Sequence, residues 1–182
     1  MFIQTEPTPN PATLKFLPGQ TIMANGTADF DSSETASRSP LAVRLFQIAG
    51  VTRVFLGADF ISVSKAEGED WHILKPSILG ALMEHLTAGR PIIEDTGAEA
   101  APEVEETEIV KEIKELLDTR VRPAVAQDGG DIIYRGFESG IVYLHLQGSC
   151  AGCPSSTATL KMGIENLLKH YIPEVEAVEA VA

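Results

Sequence analysis

The sequence contains only two cysteines, Cys150 and Cys153, in the segment Gly148-Ser149-Cys150-Ala151-Gly152-Cys153-Pro154. Metal centres with four thiolate ligands need four cysteines, and one copy of this chain supplies half of them. The scarcity of cysteine therefore excludes a self-contained centre of that kind. A four-thiolate site would need thiolates from a second copy of the chain or from another molecule.

Basic residues are also scarce, with 14 Lys and Arg against 26 Asp and Glu, so the formal net charge is -12 at pH 7. Polyanions repel such a chain on average, and we therefore expect neither a nucleic acid nor a membrane as a partner. Apolar runs such as residues 78–83 are far shorter than a membrane span. The first residues show neither a secretory nor a transit signal. The sequence predicts a cytoplasmic protein, or one of the mitochondrial matrix if the source is eukaryotic and the chain is processed.

No lysine or arginine occurs between Arg90 and Lys111, where acidic residues and Pro102 accumulate. Like charges and few apolar side chains favour a solvated tether. Elsewhere the hydrophobic content, 44% overall, is sufficient for a buried core. We therefore predict two domains, residues 1–90 and 107–182, joined by an acidic flexible linker at 91–106. The predicted fold class is α+β, with two small α/β-layered modules.

In the first module the pattern predicts a strand at 13–17, a helix that begins at Ser39-Pro40, and a helix at about 76–88. Residues 51–55 and 60–64 alternate around a Gly-Ala-Asp turn, which predicts a hairpin.

In the second module an apolar stripe predicts a helix that starts near Thr107 and is disturbed by Pro123 in its last turns. A turn at Asp128-Gly129-Gly130-Asp131 should lead into a hairpin of strands 132–137 and 141–147. A helix that contains Leu160 and a final edge strand at 175–181 complete this module.

Pro154 is typical of the first position of a helix, which would place Cys153 at the N-cap. Free N–H groups and the helix dipole at that end stabilise a thiolate. Two residues between cysteines is a common metal-chelating spacing, but it also occurs in dithiol redox proteins. The residues alone leave three interpretations open: a metal or cluster site, a redox dithiol and an inert buried pair. Too few residues follow Cys153 for a thioredoxin-like sheet, which disfavours the second.

Other polar residues have simpler interpretations. Asp128 and Asp131 fit a tight connection between helix and strand better than a cation site, because further oxygen ligands are lacking. His145 alternates with apolar neighbours and is expected on the less buried face of its strand. Arg120 and Arg122 lie where the helix should end, and we expect them to be solvated.

Several motifs together resemble one protein family. Residues 119–123, the Asp128–Asp131 turn and residues 146–156 are similar to the NifU C-terminal-type domain of Nfu iron-sulfur carriers. Residues 8–16, 39–42 and 50–61 are similar to the Nfu N-terminal domain. The resemblance covers nearly the whole chain, with its parts in the family's order.

The resemblance implies a scaffold or carrier, without catalytic turnover, that accepts an iron-sulfur cluster from an upstream donor and delivers it to apo-proteins. It implies that a homodimer shares one [4Fe-4S] cluster and that Cys150 and Cys153 of each copy are the ligands. A [2Fe-2S] cluster is also compatible with two cysteines per chain. An exposed loop would allow incoming thiolates to exchange with these ligands. The alternatives are a thiol-disulfide oxidoreductase and a zinc-bridged structural dimer.

Overall fold

The computed structural model describes residues 2–94, 106–151 and 154–181. The chain divides into two compact units, residues 1–98 and 99–182, and each unit has its own hydrophobic core. Both combine helices with a sheet, which confirms the α+β class with two modules. Within the described part of the chain, the helices are too short or too polar to cross a bilayer.

The first unit is built on a five-stranded antiparallel sheet with strand order β1-β2-β5-β4-β3. The strands are β1 (Gln4–Pro7), β2 (Thr13–Leu17), β3 (Ala28–Phe30), β4 (Val51–Leu56) and β5 (Ile61–Lys65). A 3-10 helix (Thr35–Arg38) precedes α1 (Pro40–Phe46), and α2 (Trp71–Thr87) ends the unit. The core joins apolar side chains of the sheet and of both α-helices, among them Phe16, Val54, Leu45, Ile78 and Leu82.

The predicted strand, hairpin and first helix of this unit are confirmed. Ser39 caps α1, since its Oγ accepts a hydrogen bond from the Ala42 N–H at 3.1 Å. The predicted start of the second helix at Pro76 is wrong, because the helix begins at Trp71. Asp70 caps it by accepting a hydrogen bond from the His72 N–H at 2.8 Å, and Pro76 lies inside the helix on its exposed side.

Residues 91–94 belong to the predicted linker, yet they lie against the first unit. The Pro91 carbonyl is 2.9 Å from Nε2 of the buried His85, and the Ile92 carbonyl accepts a hydrogen bond from the Ser39 hydroxyl at 2.5 Å. Ile92 and Ile93 pack against the core. Two apolar side chains at the start of the acidic stretch explain this contact. Residues 95–105 lie outside the described residues, so the linker itself stays a prediction.

The second unit starts with α3 (Glu108–Leu116), which begins next to Thr107 as predicted and is capped by the Thr107 side chain. A π-helical turn (Leu117–Val121) separates it from α4 (Arg122–Gln127). In this turn the Arg122 N–H donates to the Leu117 carbonyl, five residues earlier. Pro123 follows in the first turn of α4, where its missing N–H is tolerated. The predicted disturbance at Pro123 is confirmed, and it takes the form of a widened turn.

The rest of the second unit is a three-stranded sheet with order β6-β7-β8 and one helix. Strands β6 (Gly130–Glu138) and β7 (Ile141–Gly148) form the predicted hairpin. Helix α5 (Pro154–Tyr171) then leads to β8 (Ala177–Val181), which pairs with β7 in parallel at the edge of the sheet. The core collects Ile113, Val125, Leu144, Ile164 and Leu168 from the helices and strands.

Candidate functional site

The predicted ligand pair lies between the end of β7 and the start of α5, where the carboxyl end of a strand meets the amino end of a helix. Gly148 ends β7 with a φ of 65°, and the Ala151 N–H donates to the Gly148 carbonyl at 3.1 Å. The Thr157 hydroxyl of α5 donates to the Cys150 carbonyl at 3.2 Å. The backbone of Cys150 is therefore tied to both flanking elements.

Cys150 is buried, with 5% of its surface exposed, and it belongs to the hydrophobic core of the second unit. The expectation of an exposed ligand loop is therefore wrong for this residue. The reason is the path of the chain, because the turn after β7 directs the Cys150 side chain against the start of β6. Cys153 lies outside the described residues, as does its predicted N-cap role, although α5 does begin at Pro154 as expected.

Gly130, the first residue of β6, lies directly against Cys150. A Cβ atom added at Gly130 would lie 2.8 Å from the Cys150 Sγ and 2.6 Å from the Gln147 carbonyl oxygen. Both distances are shorter than van der Waals contact, and a backbone carbonyl cannot rotate away as the end of a side chain can. Only glycine fits here, so the Gly-Gly pair serves two purposes. Gly129 provides the turn with its φ of 81°, and Gly130 provides room for the sulfur.

A second connection joins the same turn to the cysteine loop through Ser149. The Ser149 N–H donates to the Gly129 carbonyl at 3.2 Å, and the Ser149 hydroxyl donates to the Asp128 carbonyl. Ser149 is 2% exposed, so these bonds form in a region with little competing water. The Asp128–Asp131 motif thus forms the predicted turn and also holds the cysteine loop in place through the hydrogen bonds with Ser149.

An ion pair fixes the far side of this turn. Nε and Nη2 of Arg122 donate to the two carboxylate oxygens of Asp131 at 2.9 and 2.8 Å, and Nη1 donates to Asp118 at 3.2 Å. The Asp131 side chain is only 5% exposed and also accepts the Ile132 N–H at 2.8 Å. The expectation that Arg122 is solvated is wrong, since the π-helical turn and β6 bring Arg122 and Asp131 together.

The hydrogen bond with Asp131 raises the pKa of the Arg122 guanidinium above its ordinary value, despite partial burial that acts in the opposite direction. Arg122 therefore keeps its charge at any pH at which the protein is folded. A bidentate pair of this kind holds its partners in one geometry. The pair fixes the first residues of β6, where Gly130 contacts the thiol.

The remaining polar candidates contribute little to this site. Nδ1 of His145 is 3.2 Å from the Val181 carbonyl, which places this ring at β8. Arg120 is exposed, with its guanidinium carbon 5.8 Å from the centre of the Tyr171 ring. Among the described residues, no three side chains of His, Cys, Asp or Glu converge on a position that would hold a metal ion.

Both halves of the chain match known families. Residues 3–89 match the model described as "Scaffold protein Nfu/NifU N terminal", and residues 113–179 match the "NifU-like domain". A human protein named "NFU1 iron-sulfur cluster scaffold homolog, mitochondrial" is 55% identical over 183 aligned residues, covering 100% of this chain and 72% of the human one. This chain belongs to the Nfu family.

Relatives with similar names occur in other eukaryotes. A Drosophila ananassae protein with the same name as the human one is 53% identical over 100% of this Nfu-family chain and 64% of its own length. "NifU-like protein 4, mitochondrial" of Arabidopsis thaliana is 52% identical over 98% of this chain and 65% of its own length. The chain thus spans about two thirds of the length of these two relatives.

Replacing Arg122 with glutamine in this Nfu-family chain should lower the free energy of unfolding of the second unit by about 2 kcal/mol. The substitution leaves the carboxylate of Asp131 buried without its cation, at a cost below that of a fully buried pair because Arg122 is partly exposed. Urea unfolding monitored by circular dichroism measures the change. The matched control is Arg120→Gln, two residues earlier on the exposed surface, which should change stability by less than about 0.5 kcal/mol. Equal effects of the two substitutions would contradict the support role of Arg122.

The burial of Cys150 predicts slow alkylation. In the folded apo-protein we expect Cys150 to react with iodoacetamide at least about tenfold more slowly than in the urea-unfolded protein, since the thiol must first leave its packed position. Trypsin releases both cysteines in one peptide, residues 136–161, and fragmentation of this peptide in the mass spectrometer gives the rate at each cysteine separately. Equal rates in the folded and unfolded chain would show that the packing against Gly130 does not persist in solution.

Proposed function

We propose that this chain is an iron-sulfur cluster scaffold and carrier, in which Cys150 and Cys153 of two copies together hold one cluster. The preferred cargo is [4Fe-4S], and the proposal includes its transfer to apo-proteins. The observation on which this rests is the number of thiols: a member of a scaffold family has one Cys-x-x-Cys pair and no other cysteine. Since a [4Fe-4S] or a [2Fe-2S] cluster is typically held by four thiolates, two chains supply a complete set.

The surroundings of Cys150 support the role of ligand in three ways. Ser149 and Thr157 fix the backbone on each side of it through hydrogen bonds. Gly130 leaves space for the sulfur, and the apolar neighbours exclude water from it. The Cys150 side chain is therefore held in one position until the cluster arrives. Ligation then requires the sulfur to turn from Gly130 towards the loop surface.

Release follows from the small number of bonds that hold the cargo. Each chain contributes two thiolates, so a client protein with free thiolates can replace them one at a time. Such an exchange requires no general acid, base or nucleophile, and we propose a carrier rather than an enzyme. The partners are therefore a second copy, an upstream cluster donor and apo-proteins that need clusters. The names of the relatives support the mitochondrial matrix rather than the cytoplasm predicted from the sequence.

Reconstitution separates this proposal from its two alternatives. The anaerobic apo-protein is incubated with ferrous iron and sulfide, or with zinc alone, desalted, and examined by visible absorption and by transfer to an apo-ferredoxin. A carrier should develop absorption near 400 nm and activate the apo-ferredoxin. A protein that stays colourless but reduces disulfides without metal would be the oxidoreductase. A protein that stays colourless and dimerises with zinc would be the structural dimer.

A further inference from the structure

The part of the chain around the thiols has no charged side chain over an unusual length. No Asp, Glu, Lys or Arg occurs between Glu138 and Lys161, although such residues make up 22% of the sequence. This stretch contains β7, the cysteine loop and the first turns of α5. In a chain of net charge -12, this stretch adds no negative charge of its own next to the thiols, so a second, equally acidic copy meets less repulsion here than at an average part of the surface.

Helix α5 continues this uncharged surface away from the cysteine loop. Ala158, Met162, Gly163 and Asn166 are all exposed, and their spacing places them on one face of the helix. An exposed helix face normally carries charged side chains. Here Lys161 and Glu165 lie on another side of α5 and serve other contacts, and the uncharged face ends at Lys169 in the last turn. Lys161 pairs with Glu179 at 3.1 Å, and Glu165 pairs with Lys169 at 2.7 Å.

Glu165 shows which side of α5 faces the rest of the unit. Its carboxylate accepts a hydrogen bond from the Val178 N–H of β8 at 3.3 Å, and the bonds with Lys169 and Val178 lower its pKa. Buried Ile164 and Leu168 fill the core beside it. The uncharged face is therefore left pointing away from the unit to which α5 belongs.

Two residues on the uncharged face are costly in a monomer. Met162 is 66% exposed, one of the most exposed large apolar side chains among the described residues. Gly163 lies in the helix interior, and beyond the adjoining residues and the backbone of α5 itself no described atom lies within 4 Å of the place where a Cβ would stand. Glycine there costs about 1 kcal/mol of helix stability relative to alanine. Among the described residues, Met162 is left mostly uncovered and the space beside Gly163 is open, whereas a closely packed neighbouring helix would use both.

We propose that this face of α5 is the contact surface for a second copy of the chain in the cluster-loaded dimer. The inference rests on the proposed function, which needs two copies to meet at the cysteine loops. Because α5 begins directly after Cys153, two α5 helices that start at one shared cluster can touch along their length only by running side by side in the same direction. The uncharged faces then meet across a two-fold axis through the cluster, Met162 lies close to the partner's surface, and Gly163 permits a close approach of the two backbones.

The test is the substitution Met162→Glu, which places a like-charged pair at this contact. The matched control is Ile73→Glu on α2 of the other unit, at a position that is 70% exposed. Each protein is reconstituted anaerobically with iron and sulfide, and its dimer fraction and iron content are measured by analytical ultracentrifugation and metal analysis across a range of concentrations. The glutamate at residue 162 should raise the dissociation constant of the loaded dimer about tenfold or more, and the control should leave it unchanged. Circular dichroism of the apo-proteins should be the same for all three.

The possible outcomes separate the interface from the function. If the unaltered chain takes up no cluster, the proposed function fails. If it loads and Met162→Glu loads and dimerises equally well, the function stands and the interface is overturned. Equal losses in both variants would indicate a general effect of added negative charge and would also overturn the interface. A Met162→Glu variant that dimerises normally but transfers its cluster more slowly would assign this face to client proteins instead.

Discussion

Replacing Gly130 with alanine is expected to lower the stability of the second unit by about 1 to 3 kcal/mol and to prevent stable cluster loading. The added Cβ would stand 2.6 Å from the Gln147 carbonyl oxygen and 2.8 Å from the Cys150 sulfur. Either β6 moves away from β7 or Cys150 is displaced. In both cases the cysteine loop is no longer held against β6, so its two ligands lose their common geometry and loading should fall more than stability alone would explain. Urea unfolding gives the stability, and iron content after reconstitution gives the loading.

Gly136 provides the matched control for this substitution. It lies on the same strand, but the nearest atom to its added Cβ would be Cδ2 of Tyr143 at 4.0 Å, which is ordinary contact. Gly136→Ala should therefore load normally and lose little or no stability. A Gly130→Ala protein that loads as fully as the Gly136→Ala protein would show that the close packing between Gly130 and Cys150 is not needed for the site.

The substitution Cys150→Ser should abolish retention of the cluster, with iron and sulfide falling from about two per chain to nearly none. Serine is close to cysteine in size, but its hydroxyl is a much poorer ligand for iron than a thiolate. Because residue 150 is buried among apolar side chains, the hydroxyl should also cost about 1 to 3 kcal/mol of stability. Reconstitution at low temperature, well below the unfolding transition, keeps the two effects apart.

Cys150→Ala is the control for the loss of stability. Alanine removes the ligand without burying a hydroxyl, so it should lose the cluster while unfolding at a higher urea concentration than the serine variant. If the serine or alanine variant retained a normal cluster content, Cys150 would not be a ligand. The cluster would then have to be held elsewhere in the chain.

Much of the fold follows from local sequence signals. Ser39 and Thr107 are recognisable as helix caps because a small hydroxyl residue precedes an apolar periodic run, and the structure shows both capping bonds. The β6-β7 hairpin follows from alternation on both sides of a short turn. The start of α2 is harder to predict. Pro76 resembles a first helical residue, but Asp70 provides the actual cap, and an exposed proline is tolerated inside the helix.

The support of the cysteine loop could not be predicted in the same way, because its contacts join residues far apart in sequence. Asp131 and Arg122 meet only after the π-helical turn has set the direction of α4. The burial of Cys150 depends on Gly130, which lies at the far end of the β6-β7 hairpin in sequence. One signal is present in the sequence: Gly129 alone satisfies the turn, so a second glycine at the start of a strand indicates a close approach by another part of the chain.

The most direct test of the shared cluster site measures iron, sulfide and zinc per chain together with the mass of the loaded species, after anaerobic reconstitution and gel filtration. We expect about two irons and two sulfides per chain, no zinc, and the mass of two chains. Cluster-containing protein with the mass of a single chain would contradict the shared site, because one chain has only Cys150 and Cys153 to offer. About half a zinc per chain without sulfide would instead indicate a zinc-bridged structural dimer.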